Sequence, residues 1–226
     1  MSPFLSTLGG GSAQGFQQLG PPPAAGGGDG LDASNPAASM ISLDNLGSGA
    51  GSYYVLLNNG STVYGRCERL GTGSKLFMRV LHQYYTSLFS SQSDAYSKNT
   101  GDPRDYASRG QNWTYSIMGN AGNMTGAGGL SEWYAVWEGI SGYNQWQQTS
   151  NPLTTQSSVS GYSAINIDSN YGTWGGISRS DDVSATEWDG HIGGSWWYSW
   201  GNYRNHSPYF PVAGNDKQWC DLWCRW

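Results

Sequence analysis

From residue 53 onward short apolar and aromatic runs are separated by polar and glycine-rich stretches, the pattern of strands and loops, and no such pattern precedes it. Tyr53-Tyr54-Val55-Leu56-Leu57, then Asn58-Asn59-Gly60, then Ser61-Thr62-Val63-Tyr64 predicts a β-hairpin, because Asn-Gly supplies turn residues with positive φ. Residues 75–81 predict a third strand, and Trp133-Tyr134-Ala135-Val136-Trp137 a further one flanked by Glu132 and Glu138. Residues 219–226 predict a strand with Cys220, Leu222, Cys224 and Trp226 on one face and Trp219, Asp221, Trp223 and Arg225 on the other. Between these signals, residues 90–129 are polar and rich in glycine without a period, which predicts a long functional or mobile loop. One helix is expected over 35–47, with Asn35 as cap, Pro36 in the first turn and Gly47 past the end. Its apolar face (Met40, Ile41, Leu43) is short and interrupted by Asp44.

Residues 1–52 contain no Trp, Tyr, Cys, Lys or Arg. Phe4, Leu5, Leu8, Phe16 and Leu19 punctuate a Gly/Ser/Gln background that buries too little apolar surface to fold alone. Such side chains can dock into the grooves of a partner, so this segment reads as an anchor. Pro21-Pro22-Pro23 and Gly26-Gly27-Gly28 then form a stiff triplet and a flexible hinge, able to hold the following domain roughly 25–30 Å from its attachment point. The expected division is an anchor and linker over 1–28, a lead-in with the short helix over 29–52, and one β-rich, α+β domain with long loops over 53–226.

Composition narrows the class. The 226 residues include 34 Gly, 12 Trp and 15 Tyr, and only 12% are charged. This richness in aromatics excludes disorder for most of the chain, and the scarcity of charge excludes a helical bundle. A formal charge of −5 with no Lys/Arg run argues against nucleic acid. No apolar stretch approaches the ~20 residues of a membrane span. Met1-Ser2-Pro3-Phe4-Leu5 has no charged n-region and no continuous apolar h-region, so no secretory signal is expected. Three cysteines, Cys67, Cys220 and Cys224, cannot all pair within one chain; as residues of one strand, Cys220 and Cys224 would stand ~13 Å apart, too far to bridge. Free thiols and folding in a reducing cytosol follow.

Candidate chemistry gathers late in the chain. Gly193-Gly194-Ser195-Trp196-Trp197-Tyr198-Ser199 follows Asp181-Asp182 by about a dozen residues. Trp196, Trp197, Tyr198, Trp200, Tyr203 and Tyr209 can offer rings to the C–H face of a sugar, with Asn202, Asn205 and His206 bonding its hydroxyls. The competing reading is that about half of these rings are core; the expected split puts Trp197 inside and Trp200 and Tyr209 beside the pocket. Asp181 and Asp182 are hard oxygen donors suited to calcium, or else a solvated acidic turn. His191 and His206 have no second His or Cys at zinc-ligand spacing. For a glycosidase, Glu132 with Glu138, or Glu187 with Asp189, would have to stand about 5–9 Å apart, and no spacing selects a pair. There is no nucleophile elbow, H-E-x-x-H or P-loop.

Two resemblances sharpen this. Gly51-Ser52-Tyr53-Tyr54-Val55, Val63-Tyr64-Gly65-Arg66-Cys67-Glu68, Ser180-Asp181-Asp182, Gly193-Gly194-Ser195-Trp196-Trp197-Tyr198 and the stretch Asn205 to Tyr209 resemble the opening hairpin, calcium loop, glycine–aromatic signature and pocket loop of fibrinogen-like domains. The chain departs from that pattern in having no cysteine beside Trp196–Tyr198, and residues 82–175 match none of it. The resemblance implies calcium on Asp181 and Asp182, and a glycan pocket formed by Trp197, Tyr198, Trp200, Asn205, His206 and Tyr209. Independently, Pro3-Phe4-Leu5-Ser6-Thr7-Leu8-Gly9-Gly10-Gly11-Ser12-Ala13-Gln14-Gly15-Phe16 is similar to the opening of marine bacteriophage (cyanophage-type) structural proteins. It implies a virion protein assembled in the host cytoplasm, anchored to capsid or tail proteins through Phe4, Leu5, Leu8 and Phe16, which displays a domain that binds a host-surface glycan. Homo-oligomers are compatible with this; nucleic-acid binding and membrane insertion are not expected. A purely structural decoration or cement protein, and a polysaccharide-cleaving virion enzyme, are the alternatives.

Overall fold

A strand with apolar residues on both faces belongs inside a sheet covered on both sides, and residues 219–225 take that place. The computed structural model describes residues 27–84, 88–106, 113–137, 142–156, 159–168, 174–180, 187–192, 195–201, 211–212, 215–216 and 219–226, with backbone alone at 191–192, 195–199, 211–212 and 215–216. The described chain is β-rich, with short helices. Its strands are β1 (Gly51–Leu56), β2 (Thr62–Leu70), β3 (Lys75–Tyr84), β4 (Thr114–Ser116), β5 (Ser131–Trp137), β6 (Asn144–Gln148), β7 (Ser163–Asn166), β8 (Trp174–Arg179), β9 (Trp188–Ile192), β10 (Ser195–Trp200), β11 (Pro211–Val212), β12 (Asn215–Asp216) and β13 (Trp219–Arg225). They form an eight-stranded sheet, ordered β1-β2-β3-β13-β5-β6-β7 with β4 also on β3, and a five-stranded sheet ordered β12-β11-β10-β9-β8. Every pairing between these strands is antiparallel.

β13 therefore lies between β3 and β5 at the centre of the larger sheet. Cys220, Leu222 and Cys224 join the main core, while Trp223 packs with Phe77 and Tyr134 on the opposite face, as the alternation predicts. On β3, Leu81 pairs with Leu222 and Arg79 with Trp223, so Val80 is an extra residue against its partner. This β-bulge brings Arg79 and His82, three apart in sequence, to the same face.

The hairpin forms with a wider grip than expected, from Gly51 to Cys67. Of its turn residues only Gly60 has positive φ (81°). The connection has three residues closed by Leu57 N–H on Ser61 O at 2.8 Å, a turn that ends on a left-handed residue rather than a two-residue Asn-Gly loop.

The expected helix is shorter and starts later: α1 spans Met40–Asn45 and is capped by Ser39, which exchanges hydrogen bonds with Ser42. Asn35 and Pro36 do not begin it, because Ala37 pairs with β1 through Tyr54 O and the Leu56 N–H, both at 2.9 Å. That extended segment covers the outer edge of β1, which would otherwise present unpaired backbone. Asp44 is a junction, accepting from Arg69 at 2.8 Å and Arg225 at 3.0 Å. Residues 90–129 are likewise not one long loop. They hold α2 (Gln92–Tyr96), β4 and 3₁₀ turns at Pro103–Tyr106, Met118–Asn123 and Ala127–Gly129. Ala95, Tyr115, Ile117, Met118, Ala121 and Met124 are buried there, at spacings that follow neither a strand nor a helix period.

Tryptophans join the two sheets. Trp133 lies 6.5 Å from Trp146 between ring centroids; Trp146 meets Trp174 edge-on at 5.0 Å, and Trp174 meets Trp200 at 6.0 Å. All four are buried, and rings of this size carry much of a core's stabilisation at these offset and edge geometries.

Candidate functional site

The second sheet carries the stretch singled out by the sequence. Arg179, Trp188 and Trp200 are aligned across β8, β9 and β10. At that end Ser180 donates its N–H to Glu187 O at 2.9 Å, and Glu187 donates its N–H to Trp200 O at 3.2 Å. Because the strands are antiparallel, Ser180 and Glu187, which bracket residues 181–186, share this end with Gly201, which precedes residues 202–210. Ile192 and Ser195, flanking Gly193-Gly194, pair at the opposite end, about 13 Å away along β9.

Of the expected glycan-site residues, Trp197 and Tyr198 lie on β10. Tyr198 pairs with Gly190 and Val212, and Trp197 falls at a shift in register between Trp196 and Tyr198. Trp200 is a correction: it is fully buried, stacked edge-on to Trp174, and belongs to the core rather than beside a pocket. Gly201, next in the chain, passes close to Trp188. It has φ 71°, and a Cβ there would meet Trp188 Cζ3 at 2.5 Å, while its N–H donates to Gln83 Oε1 on β3 at 3.1 Å. Asp181, Asp182, Asn205, His206 and Tyr209 lie outside the described residues, as do Phe4, Leu5, Leu8 and Phe16.

The carboxylates weighed for hydrolysis sit in different settings. Glu132 accepts from Lys75 at 2.9 Å and Gln145 at 2.7 Å and lies 3.7 Å from Arg225. Such an acid is already engaged by cations. Glu187 is fully buried and Asp189 nearly so; Glu138 lies outside the described residues.

The sequence reading missed a buried ionic cluster on the larger sheet. His82 Nδ1 and Asp221 Oδ1 are 2.6 Å apart, and Arg79 reaches Asp221 Oδ2 at 3.4 Å, with all three side chains fully enclosed. The Arg79 guanidinium lies 4.5 Å from the Trp223 ring and 5.5 Å from Trp113, and His82 stacks on Trp113 at 3.6 Å. The available signal was charge inside two otherwise apolar strands. A spacing of three hid it, because a regular strand would have sent Arg79 and His82 to opposite faces.

Cys67, Cys220 and Cys224 are buried free thiols. Burial pushes each thiol pKa up, so they remain protonated and unreactive. Among the described residues no group of three or more His, Cys, Asp or Glu is placed to hold a metal ion, and no described helix is long and apolar enough to cross a membrane. No protein-family model matches the chain and no curated protein matches it.

Proposed function

We propose that this chain is a bacteriophage virion surface protein, on capsid or tail, anchored through residues 1–28 and displaying a fibrinogen-like domain that binds a host-surface glycan. The observation that supports this reading is the shared end of the second sheet: the residues bracketing Asp181-Asp182 and the residue leading toward Asn205, His206 and Tyr209 stand together there. Two adjacent carboxylates have the donor chemistry of a hard cation such as calcium. Sugar-binding groups rooted at the same end would take their shape from such an ion.

The test uses the full chain on a host-glycan array with calcium and with chelator, beside a variant carrying Asp181→Asn and Asp182→Asn. Calcium-dependent binding and a melting temperature raised by millimolar calcium, both lost in the variant, are expected, since a ligand of the folded state stabilises it by mass action. Binding that ignores chelator removes the metal from the reading. Absence of binding, with incorporation into particles retained, leaves a decoration or cement role; release of reducing ends points to the enzyme. For the anchor, the chain should begin at Gly27, because Gly27 bridges to Ala37 and Gly28 N–H donates to Pro36 O. That shortened chain should fold normally and fail to join particles; incorporation equal to that of the full chain would remove the anchor from the reading.

A further inference from the structure

Gln148 ends β6 on the larger sheet, yet its side chain works as a piece of the smaller one. The amide is fully buried. Its Oε1 accepts from the Ile177 N–H at 3.0 Å and from Trp146 Nε1 at 2.8 Å, while its Nε2 donates to Ile177 O and Ser150 O, both at 3.0 Å. One side-chain amide thus satisfies both backbone groups of a single β8 residue, as a neighbouring strand would. β8 is the edge of its sheet; two residues on, Arg179 N–H donates along the same edge to Thr155 O at 2.7 Å.

The local sequence is shaped to admit that amide. Register shifts between Trp174 and Ile177, and Gly176 sits there with φ 99°, where a Cβ would meet Gln148 Oε1 at 3.0 Å and Val159 Cγ1 at 2.8 Å. A side chain at 176 would be strained by the backbone and would crowd the amide.

We infer that Gln148 is a positioning residue for the second sheet: its amide clamps the β8 edge to the larger sheet, and without it β8, β9 and β10, the strands within 174–200, open as a unit while β3 and β13 stay closed. Its value for glycan recognition rests on the function proposed above; the clamp itself does not. Hydrogen exchange on the full chain tests it, comparing wild type, Gln148→Ala and Gln148→Glu by protection factor. Two hydrogen bonds to one strand edge correspond to roughly ten- to hundredfold in local opening. That acceleration is expected over β8, β9 and β10 in both variants, with β3 and β13 unchanged. In Gln148→Glu the ionised carboxylate accepts from the Ile177 N–H but sets a second acceptor against Ile177 O. The protonated carboxyl donates there, and burial without a cation raises a carboxyl pKa above its ordinary value, so protection in Gln148→Glu should recover as pH falls through that raised pKa, whereas Gln148→Ala should show no recovery. Equal loss in both sheets, or no pH-dependent difference between the variants, overturns the clamp. If neither variant folds, wild type in mild urea decides: exchange of β8, β9 and β10 ahead of β3 and β13 supports it, and exchange only with global unfolding overturns it. Failure of wild type to bind any glycan refutes the proposed function and leaves these exchange results standing.

Discussion

Asp221 shows how much a single buried charge can constrain. Its carboxylate is held between His82 and Arg79, and the Arg79 guanidinium is shielded from water by two indoles. Removing one partner of a fully enclosed pair leaves the other charge uncompensated, which costs about 3–5 kcal/mol. Asp221→Asn should therefore lower stability by about that amount in chemical denaturation. Replacing Arg79 and Asp221 together by apolar residues should recover part of the loss, since the Arg79 guanidinium is then no longer left uncompensated, although His82 loses its Asp221 partner. A double-mutant cycle separates the two outcomes, and additive losses would contradict the coupling.

Helix α2 makes a comparable point at the scale of an element. Its cap is Ser91, whose hydroxyl accepts from the Asp94 N–H at 3.1 Å. The Asp94 carboxylate takes the Ser90 N–H and hydroxyl, both at 2.9 Å, and Lys98 at 3.2 Å. Burial by itself raises this pKa, but the Ser90 and Lys98 donors outweigh it and hold the carboxyl below its ordinary value. A depressed folded-state pKa contributes stability that is present above the unfolded value and lost as pH falls through the folded one. Asp94→Asn should thus melt below wild type at pH 7, and the gap should close as pH falls through the lowered folded-state pKa. A gap that persists below that pKa would mean that the effect is steric. In the sequence, Asp94 looked like one acid in a featureless stretch. The strands were legible because residues 53–57, 75–81, 133–137 and 219–226 are short apolar and aromatic runs of strand length, bounded by polar and turn residues. The region around α2 was not, because its order depends on serine hydroxyls and on isolated anchors such as Ile117 and Met124, which leave no period. Trp200 was misplaced for a related reason: alternation says that a ring faces one side of a sheet, not that a second sheet is folded over that side. The Gln148 clamp left no trace at all, since one amide in Asn144–Gln148 resembles any other polar residue of a strand.

At the scale of the whole molecule, the larger sheet is assembled out of sequence order. β1, β2 and β3 form one part, β5, β6 and β7 another, and β13, separated from them by the whole second sheet, joins the two. Until residues 219–225 arrive, β3 and β5 each present a bare edge. Contacts so distant in sequence form slowly, so both edges are expected to stay open to solvent until β13 pairs. Refolding yield should fall steeply as protein concentration rises, and a synthetic peptide of residues 219–226 added during refolding should suppress the loss; yield independent of both would mean that the edges are never bared. Inside a crowded cell the same geometry would leave this protein open to bridging by other chains until β13 is in place. Its vulnerable period is set by the time β13 takes to be made and threaded home, not by the stability of the finished sheet.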